Sequence, residues 1–251
     1  MLTVHRAERA DTLISPLAGL LAIPPADVFS PDVVAVPAHG VERWLTQQLS
    51  RSLGAGSGDG IAANILFPSP AQLVADVLAA ALAVAAEDDP WAGSRLVWTL
   101  LTVIDDSFSE PWCATLADHL GAHDGPESHR RGRRYSTAAS IAGLFSSYGE
   151  NRPAMLSDWA AGVDSDGTGQ PLRHDLAWQP ALWRALRERI GTPSPAERLT
   201  GACARLVGEP GIAGLPGRVS FFGLTRLPTA QLAVVEALAA HRDIHLWLTH
   251  P

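Results

Sequence analysis

Several sets of residues in this 251-residue chain have the types and spacing to do chemistry. Asp118-His119 with His123-Asp124 puts two imidazoles at i and i+4, where one helical face can turn both toward a metal ion. Gly121 interrupts that helix and no third ligand stands at a defined spacing, so the competing reading is a solvated helix end. The run GAGSGDG, Gly54 to Gly60, has the glycine content of a phosphate cradle. It follows a helical pattern and lacks both GxGxxG and a GK[ST] ending, and the alternative is a surface loop. His39 sits in a strand-to-helix turn, a position at which sheets bind ligands, or is a solvated loop residue. In His129-Arg130-Arg131-Gly132-Arg133-Arg134 the guanidinium forks of Arg130, Arg131, Arg133 and Arg134 match phosphate oxygens two at a time; an exposed linker is the other reading. Asp105-Asp106 and Glu87-Asp88-Asp89 are carboxylate clusters at helix boundaries, where capping or solvation accounts for them. Neither GxSxG nor a cysteine set beside histidine in a recognisable signature occurs.

Composition removes whole classes. All 19 basic residues are arginine, a usage that fits a GC-rich genome. Without lysine there is no phosphate-gripping P-loop, no Schiff base, and no nuclease site built on carboxylates beside a lysine. The net charge of −7 argues against coating nucleic acid by bulk electrostatics, while local basic patches stay open. Cys113 and Cys203 stand 90 positions apart without CxxC or histidine spacing, so neither a zinc site nor a disulfide framework is expected. A reducing cytosol fits. Charges in MLTVHRAERAD fall where a signal peptide needs its apolar stretch. The longest apolar run, 73 to 86, is broken by Asp76 and is too short for a bilayer, so no membrane segment is expected.

The elements that carry these residues alternate. Leu2-Thr3-Val4 reads as a strand, followed by a helix with Leu13, Ile14, Leu17, Leu20 and Leu21 on one face. Residues 32–36 repeat the pattern as a strand, and Val41, Trp44, Leu45 and Leu49 mark the helix after it. Residues 61–67 read as a third strand; Ser69-Pro70 then supplies an N-cap and first helical position for a helix reaching about Ala86. From there to about 213 helical stretches dominate, with polar loops at 121–134 and 162–176. Strands at 219–223 and 244–248 bracket a helix over 229–241. The expected class is α/β, with continuous apolar strands suited to a parallel sheet buried on both faces. Its expected division is a sheet core of residues 1–68 and 216–251 and a mainly helical part, 69–215. A chain that stops right after a strand reads as a fragment or a truncated product. Of the eight tryptophans, Trp159, Trp178 and Trp183 fall in the helical part. Their spacing predicts packing anchors between helices; base stacking is the alternative.

These segments together resemble the N-terminal region of the RecC family, the gamma chain of exodeoxyribonuclease V, in order and over essentially the whole chain. The resemblance rests on Gly40 with Trp44, on Gly60-Ile61-Ala62-Ala63-Asn64-Ile65 with Phe67-Pro68 and Pro70, and on Tyr148, Arg152-Pro153, Leu156 and Trp159. It continues through Trp178-Gln179-Pro180, Leu182-Trp183, Leu215-Pro216, Arg218-Val219, Gly223, Leu227-Pro228, Ile244-His245-Leu246 and Thr249-His250-Pro251.

The resemblance implies an inactivated superfamily 1 helicase-like, P-loop-type sheet domain with an inserted helical subdomain. Where a working motor carries GxxxxGK[ST], the first strand leads into His5-Arg6-Ala7-Glu8-Arg9. Where a strand carboxylate would hold the metal stand Ser220, Phe221 and Phe222. It implies a non-catalytic, cytoplasmic subunit without metal or cofactor of its own, ATP and Mg²⁺ being used by RecB-like and RecD-like partner subunits. It also implies a channel for single-stranded DNA from broken duplex ends, scanned for a Chi-type sequence, with Leu144 and Arg152 matching the family's reading positions. Ser69, Ala75, Gly143, Ser146, Pro37 and His39 depart from the family pattern, so the expected scanning is altered. A stand-alone protein-interaction scaffold is the alternative from another class, and a small α/β enzyme built on the His39 turn is the third.

Overall fold

The computed structural model describes residues 1–25, 27, 29–53, 60–85, 88–122, 124 and 132–250. The residues Gly54–Asp59 of the glycine-rich run, together with Glu87, His123, His129, Arg130, Arg131 and Pro251, lie outside that set. The described chain forms an α/β structure that divides into two compact units, one made of 1–83 and 202–251 and one of 84–201. Residues 69–83 and 202–215 therefore group with the sheet, although the sequence pattern assigns them to the helical part.

Five strands build the first unit: β1 (Leu2–Ala7), β2 (Asp32–Ala35), β3 (Ile65–Leu66), β4 (Arg218–Phe222) and β5 (Asp243–Thr249). They lie in the order β1-β5-β4-β2-β3, and every pairing is parallel. Parallel neighbours need helical crossovers, and the sequence supplies α1 (Ile14–Leu21), α2 (His39–Leu49), α3 (Pro70–Leu82) and α10 (Thr229–Ala239). Alternate residues of the strands face opposite ways, and both sets are buried. Val34, Val36, Phe222 and Trp247 pack with Leu13, Leu17, Leu45 and Leu49 beneath α1 and α2. Val33, Ala35, Val219, Phe221 and Ile244, of the other parity, are equally buried, and α10 lies against β5 and α3. This double burial is why the strands read as continuous apolar runs.

Two boundaries differ from the sequence pattern for local reasons. The expected strand over 61–67 shrinks to two residues because Asn64 adopts φ 58°, a left-handed conformation that asparagine tolerates and a strand does not. Its carbonyl accepts from the Asp32 amide and its side-chain amide donates to the Ser30 carbonyl, so the turn is held. Helix α3 starts as expected, with the Ser69 hydroxyl accepting from the Gln72 amide and Pro70 in first place. It stops at Leu82, where Ala83 turns left-handed at φ 54°, short of Ala86.

The second unit is helical: α4 (Gly93–Asp106), α5 (Ala114–His119), α6 (Arg134–Asn151), α7 (Pro153–Ala160) and α8 (Trp178–Ile190), followed by α9 (Pro195–Gly208), within which the division between the units falls. Its core is aromatic. Trp159 meets Phe145, Tyr148 and Trp183 edge-on, with ring centroids 5.9 to 6.3 Å apart, and Trp91 packs on Trp183. Trp159 and Trp183 are fully buried, the packing role that their spacing predicts.

Candidate functional site

Helix α6 carries Arg134 and Leu144 of the residues singled out by the sequence, and Arg133 and Arg152 flank its two ends. Ala138, Ile141, Ala142 and Phe145 form its buried stripe, at the three- and four-residue steps of one helical face. Arg133, Thr137, Ser140 and Leu144 recur at the same steps on the neighbouring flank. This flank and His119, the last residue of α5, line an open cleft of about 380 Å³. Leu144 and Ile141 contribute apolar lining to the cleft, and the exposed Arg133 a cationic one. Leu144 is half-buried, while Arg133 is exposed with no side-chain partner among the described residues.

The adjacent arginine is used differently. The Arg134 guanidinium stands 3.4 Å from Asp105 and 5.0 Å above the Phe108 ring, and its Nε is buried. That clasp fixes α6 to α4. Thus one of the two described members of the basic cluster faces solvent, and the other closes an interhelical contact.

Arg152 joins α6 to α7 with φ −140° and ψ 54°, out of the helical region that the following proline disfavours. Its amide donates to the Tyr148 carbonyl at 2.7 Å, and its carbonyl accepts from the Met155 amide at 3.0 Å. The backbone, not the guanidinium, thereby closes one helix and opens the next. The side chain is exposed, about 12 Å along the α6 axis from Leu144. Nearby, burial pushes the Tyr148 hydroxyl up in pKa, against the opposing field of Arg152 and the hydrogen bond from Tyr148 to Gln179.

The other candidates separate. His39 is the first residue of α2, beyond the carboxyl end of β2, with its exposed ring 2.9 Å from Glu42. Helix α5 ends at His119, and Gly121 takes φ 63° after it. Among the described residues no three His, Cys, Asp or Glu side chains converge as a metal cluster would. Arginines stand beside the described carboxylates of these clusters: Asp89 and Arg198 pair with both side chains largely buried, while Asp88 with Arg95, Asp105 with Arg134 and Asp106 with Arg189 form pairs that remain open to solvent. No described helix is long and apolar enough to cross a membrane.

Two features escape a reading by motif. His5 on β1 stacks on Trp247 with centroids 3.7 Å apart and planes within 6°, and its Nε2 lies 3.1 Å from Nδ1 of His245. Only the pairing of Thr3 with His245 and His5 with Trp247 brings these rings together, across 240 residues of sequence. Trp98 of α4 and Tyr135 of α6 form an exposed ring pair with centroids 5.3 Å apart.

With this geometry described, known proteins add the family. A family model for RecC, N-terminal domain, matches residues 2–251. RecBCD enzyme subunit RecC of Mycobacterium tuberculosis is 48% identical over the whole chain, and that of Mycolicibacterium smegmatis 47%. The Escherichia coli subunit is 28% identical over the same span. The chain spans 22% of the length of the first of these relatives, about a fifth. The match of the family model from residue 2 to residue 251 and the identity with these subunits along the whole chain establish that the chain belongs to the RecC family, as that family's N-terminal domain.

Proposed function

We propose that this chain is the non-catalytic, DNA-channelling part of a RecC-type subunit. It works in the cytoplasm with RecB-like and RecD-like subunits on broken duplex ends. The relatives are named as subunits of the RecBCD enzyme, and the carry-over to this chain is our reading. The observation that carries it is the α6 flank, where the apolar Leu144 and Ile141 and the cationic Arg133 line one open cleft. A single strand needs such a combination: apolar faces for bases and guanidinium groups for phosphates. Arg152, exposed beyond the far end of the same helix, extends the track.

The nucleotide-binding ends of a helicase-like sheet are filled otherwise in this chain, which supports a lost motor. After β1 the chain turns at once into a short helical turn, Ala10–Leu13, closed by an ion pair of Arg9 with Asp11 and by the Thr12 hydroxyl donating to the Arg9 carbonyl. The hydrogen bond from Arg9 holds the Asp11 carboxyl below the usual range, so the loop keeps a closed ion pair where a motor would offer a lysine to phosphates. On β4, Phe221 and Phe222 are buried, and Ser220 accepts from the Trp247 indole at 3.1 Å. No carboxylate stands there for Mg²⁺. ATP and Mg²⁺ belong, in this reading, to the partner subunits, and the helical unit 84–201 to an insertion between the early and late strands.

Two measurements test the proposal. Purified subunit should turn over no ATP and should bind single-stranded DNA with an affinity that falls steeply with salt. ATP turnover that survives removal of contaminating helicases sinks the first half, and salt-independent binding the second. The exposed Trp98–Tyr135 pair favours a second reading, a protein-interaction scaffold. In that case affinity isolation from the source cells yields partners, yet no salt-dependent DNA binding accompanies them.

A further inference from the structure

Burial across the sheet falls away at one strand. On one face Phe221 of β4 and its register partner Leu246 of β5 are 0% and 7% exposed, but the next residue in that row, Val4 of β1, is 45% exposed. In the row beside it Val219 and Ile244 are fully buried, whereas Leu2 is only half-buried. The opposite side of β1 is occupied: His5 stacks on Trp247, and Ala7 packs with the cluster beneath α1 and α2.

Strand β1 is also an edge of the sheet, paired with β5 alone among the described strands. The carbonyls of Met1 and Ala7 accept from the Ile244 and His250 amides, so the odd-numbered residues of β1 bond to β5. With a period of two, the amides and carbonyls of Leu2, Val4 and Arg6 point away from it. Only Arg6 blunts this edge, which has no proline, no lysine and no bulge.

The crossovers within the sheet define what fits there. Right-handed connections that travel along a sheet in one direction put their helices on one face, and those that return put them on the other. From β1 to β2 and from β2 to β3 the path runs away from the β1 edge, and α1 and α2 lie on the face of Val34, Phe222 and Trp247. From β4 to β5 it runs toward that edge, and α10, which takes no part in that cluster, lies against β5 and α3. A helix that covers Val4 therefore belongs to a crossover travelling the same way as β4-α10-β5, and its strand lands beside β1.

We infer that the open edge of β1 is the docking site of a further parallel strand whose helix lies over Leu2 and Val4, both supplied by the rest of the same polypeptide. The family model is that of an N-terminal domain, and a relative of which this chain spans 22% has ample chain for both elements. A tethered strand and helix also reach the edge without the entropy loss that a separate chain pays on association. This assignment concerns the sheet alone and is independent of the DNA reading.

The test is hydrogen exchange on the intact full-length subunit, resolved to single amides by fragmentation mass spectrometry. The amides of Thr3, His5 and Ala7, which face β5, are the internal control. With the edge filled, the amides of Val4 and Arg6 should exchange about 100-fold or more slowly than in an unfolded chain, because a ladder amide exchanges only when its strand opens. Exchange at the unfolded rate at Val4 and Arg6, beside protected odd-numbered amides, overturns the inference. The source of the strand is read by placing the photoreactive residue p-benzoylphenylalanine at position 4 of the intact subunit. Irradiation should join it to a peptide beyond residue 251 of the same polypeptide, and mixed isotope-labelled and unlabelled subunits distinguish that chain from a second copy. A cross-link to a partner subunit or to a second copy overturns the same-chain assignment, and so does the absence of any cross-link.

Discussion

His5 Nε2 and His245 Nδ1 lie 3.1 Å apart across the β1–β5 pairing, so one ring must donate and the other accept, and at least one of them is neutral. Burial lowers the pKa of both rings. At His245 the field of His5, Arg218 and the N-terminal amine adds to that effect, and Asp243 opposes it. A histidine whose folded pKa is depressed binds its proton more readily when unfolded. Its contribution to stability is complete above the unfolded value near 6.5 and is lost as pH falls through the folded one. The melting temperature should therefore fall between pH 7.5 and 5.5. His5→Phe, which keeps a ring on Trp247, should flatten that dependence in a thermal melt series, and an unaltered pH slope would show that the pair is not its source.

The ends of β2 and β4 predict a second effect. Arg218 holds Asp32 at 2.7 Å, both side chains being 16% exposed, and donates to the Leu20 carbonyl at the end of α1. Removing one partner strands the other charge in a site where water replaces little of the loss. Asp32→Ala should cost about 3 kcal/mol by urea unfolding, and Arg218→Met less, because the aliphatic stem still fills the space.

Neighbouring arginines on α6 should behave oppositely. Arg134→Ala gives up the Asp105 pair and the Phe108 ring contact, and should lower stability by about 1 kcal/mol with little change in the salt slope of DNA binding. Arg133→Ala should leave stability within about 0.5 kcal/mol and change the slope. A denaturant midpoint and an anisotropy titration on both variants check this pair, and a reversed assignment would mean that the clasp and the DNA contact have been exchanged.

The two buried tryptophans of the helical unit differ in one hydrogen bond. Trp159 Nε1 donates to the Ser165 carbonyl at 2.9 Å, whereas the buried Trp183 Nε1 has no partner among the described residues. Both changes to phenylalanine remove comparable volume, but Trp159→Phe also leaves a buried carbonyl unsatisfied. Trp159→Phe should be the more costly by about 1–2 kcal/mol in equilibrium unfolding.

In the loop that Ser165 anchors, Gly167 takes φ 82°, and a Cβ there would come within 2.8 Å of the Met155 side chain. Gly167→Ala should destabilise by more than about 1 kcal/mol, since a positive φ and a close contact both oppose a side chain. A neighbouring Gly169→Ala, with φ 85° and nothing within 4 Å, separates the two causes in the same unfolding assay.

Much of this architecture could be read directly from residues. Val33, Val34 and Ala35, or Val219 with Phe221 and Phe222, are runs too apolar for any strand with a wet face, so they announce a sheet covered twice. Ser69-Pro70 marked the start of α3 because a hydroxyl cap and a missing amide suit only that position. Absence of lysine and of glycine after β1 spoke against a phosphate grip without any coordinates. The Asn64 turn could not be foreseen in the same way, because its left-handed backbone is secured by Ser30 and Asp32, residues 34 and 32 positions away.

For the site, the sequence determined composition: arginines at 133 and 134, a leucine at 144 and hydroxyls between them, whereas the start of α6 at Arg134, which puts Arg133 and Leu144 on one flank, came with the structure. Which arginine is free was decided only in three dimensions, because Asp105 and Phe108 reach Arg134 through the packing of α4 on α6, and one step of 100° turns Arg133 away from them. The meeting of His5 with His245 and Trp247 has the same origin. Strand register is a property of the folded sheet, and neither partner's local sequence contains the other.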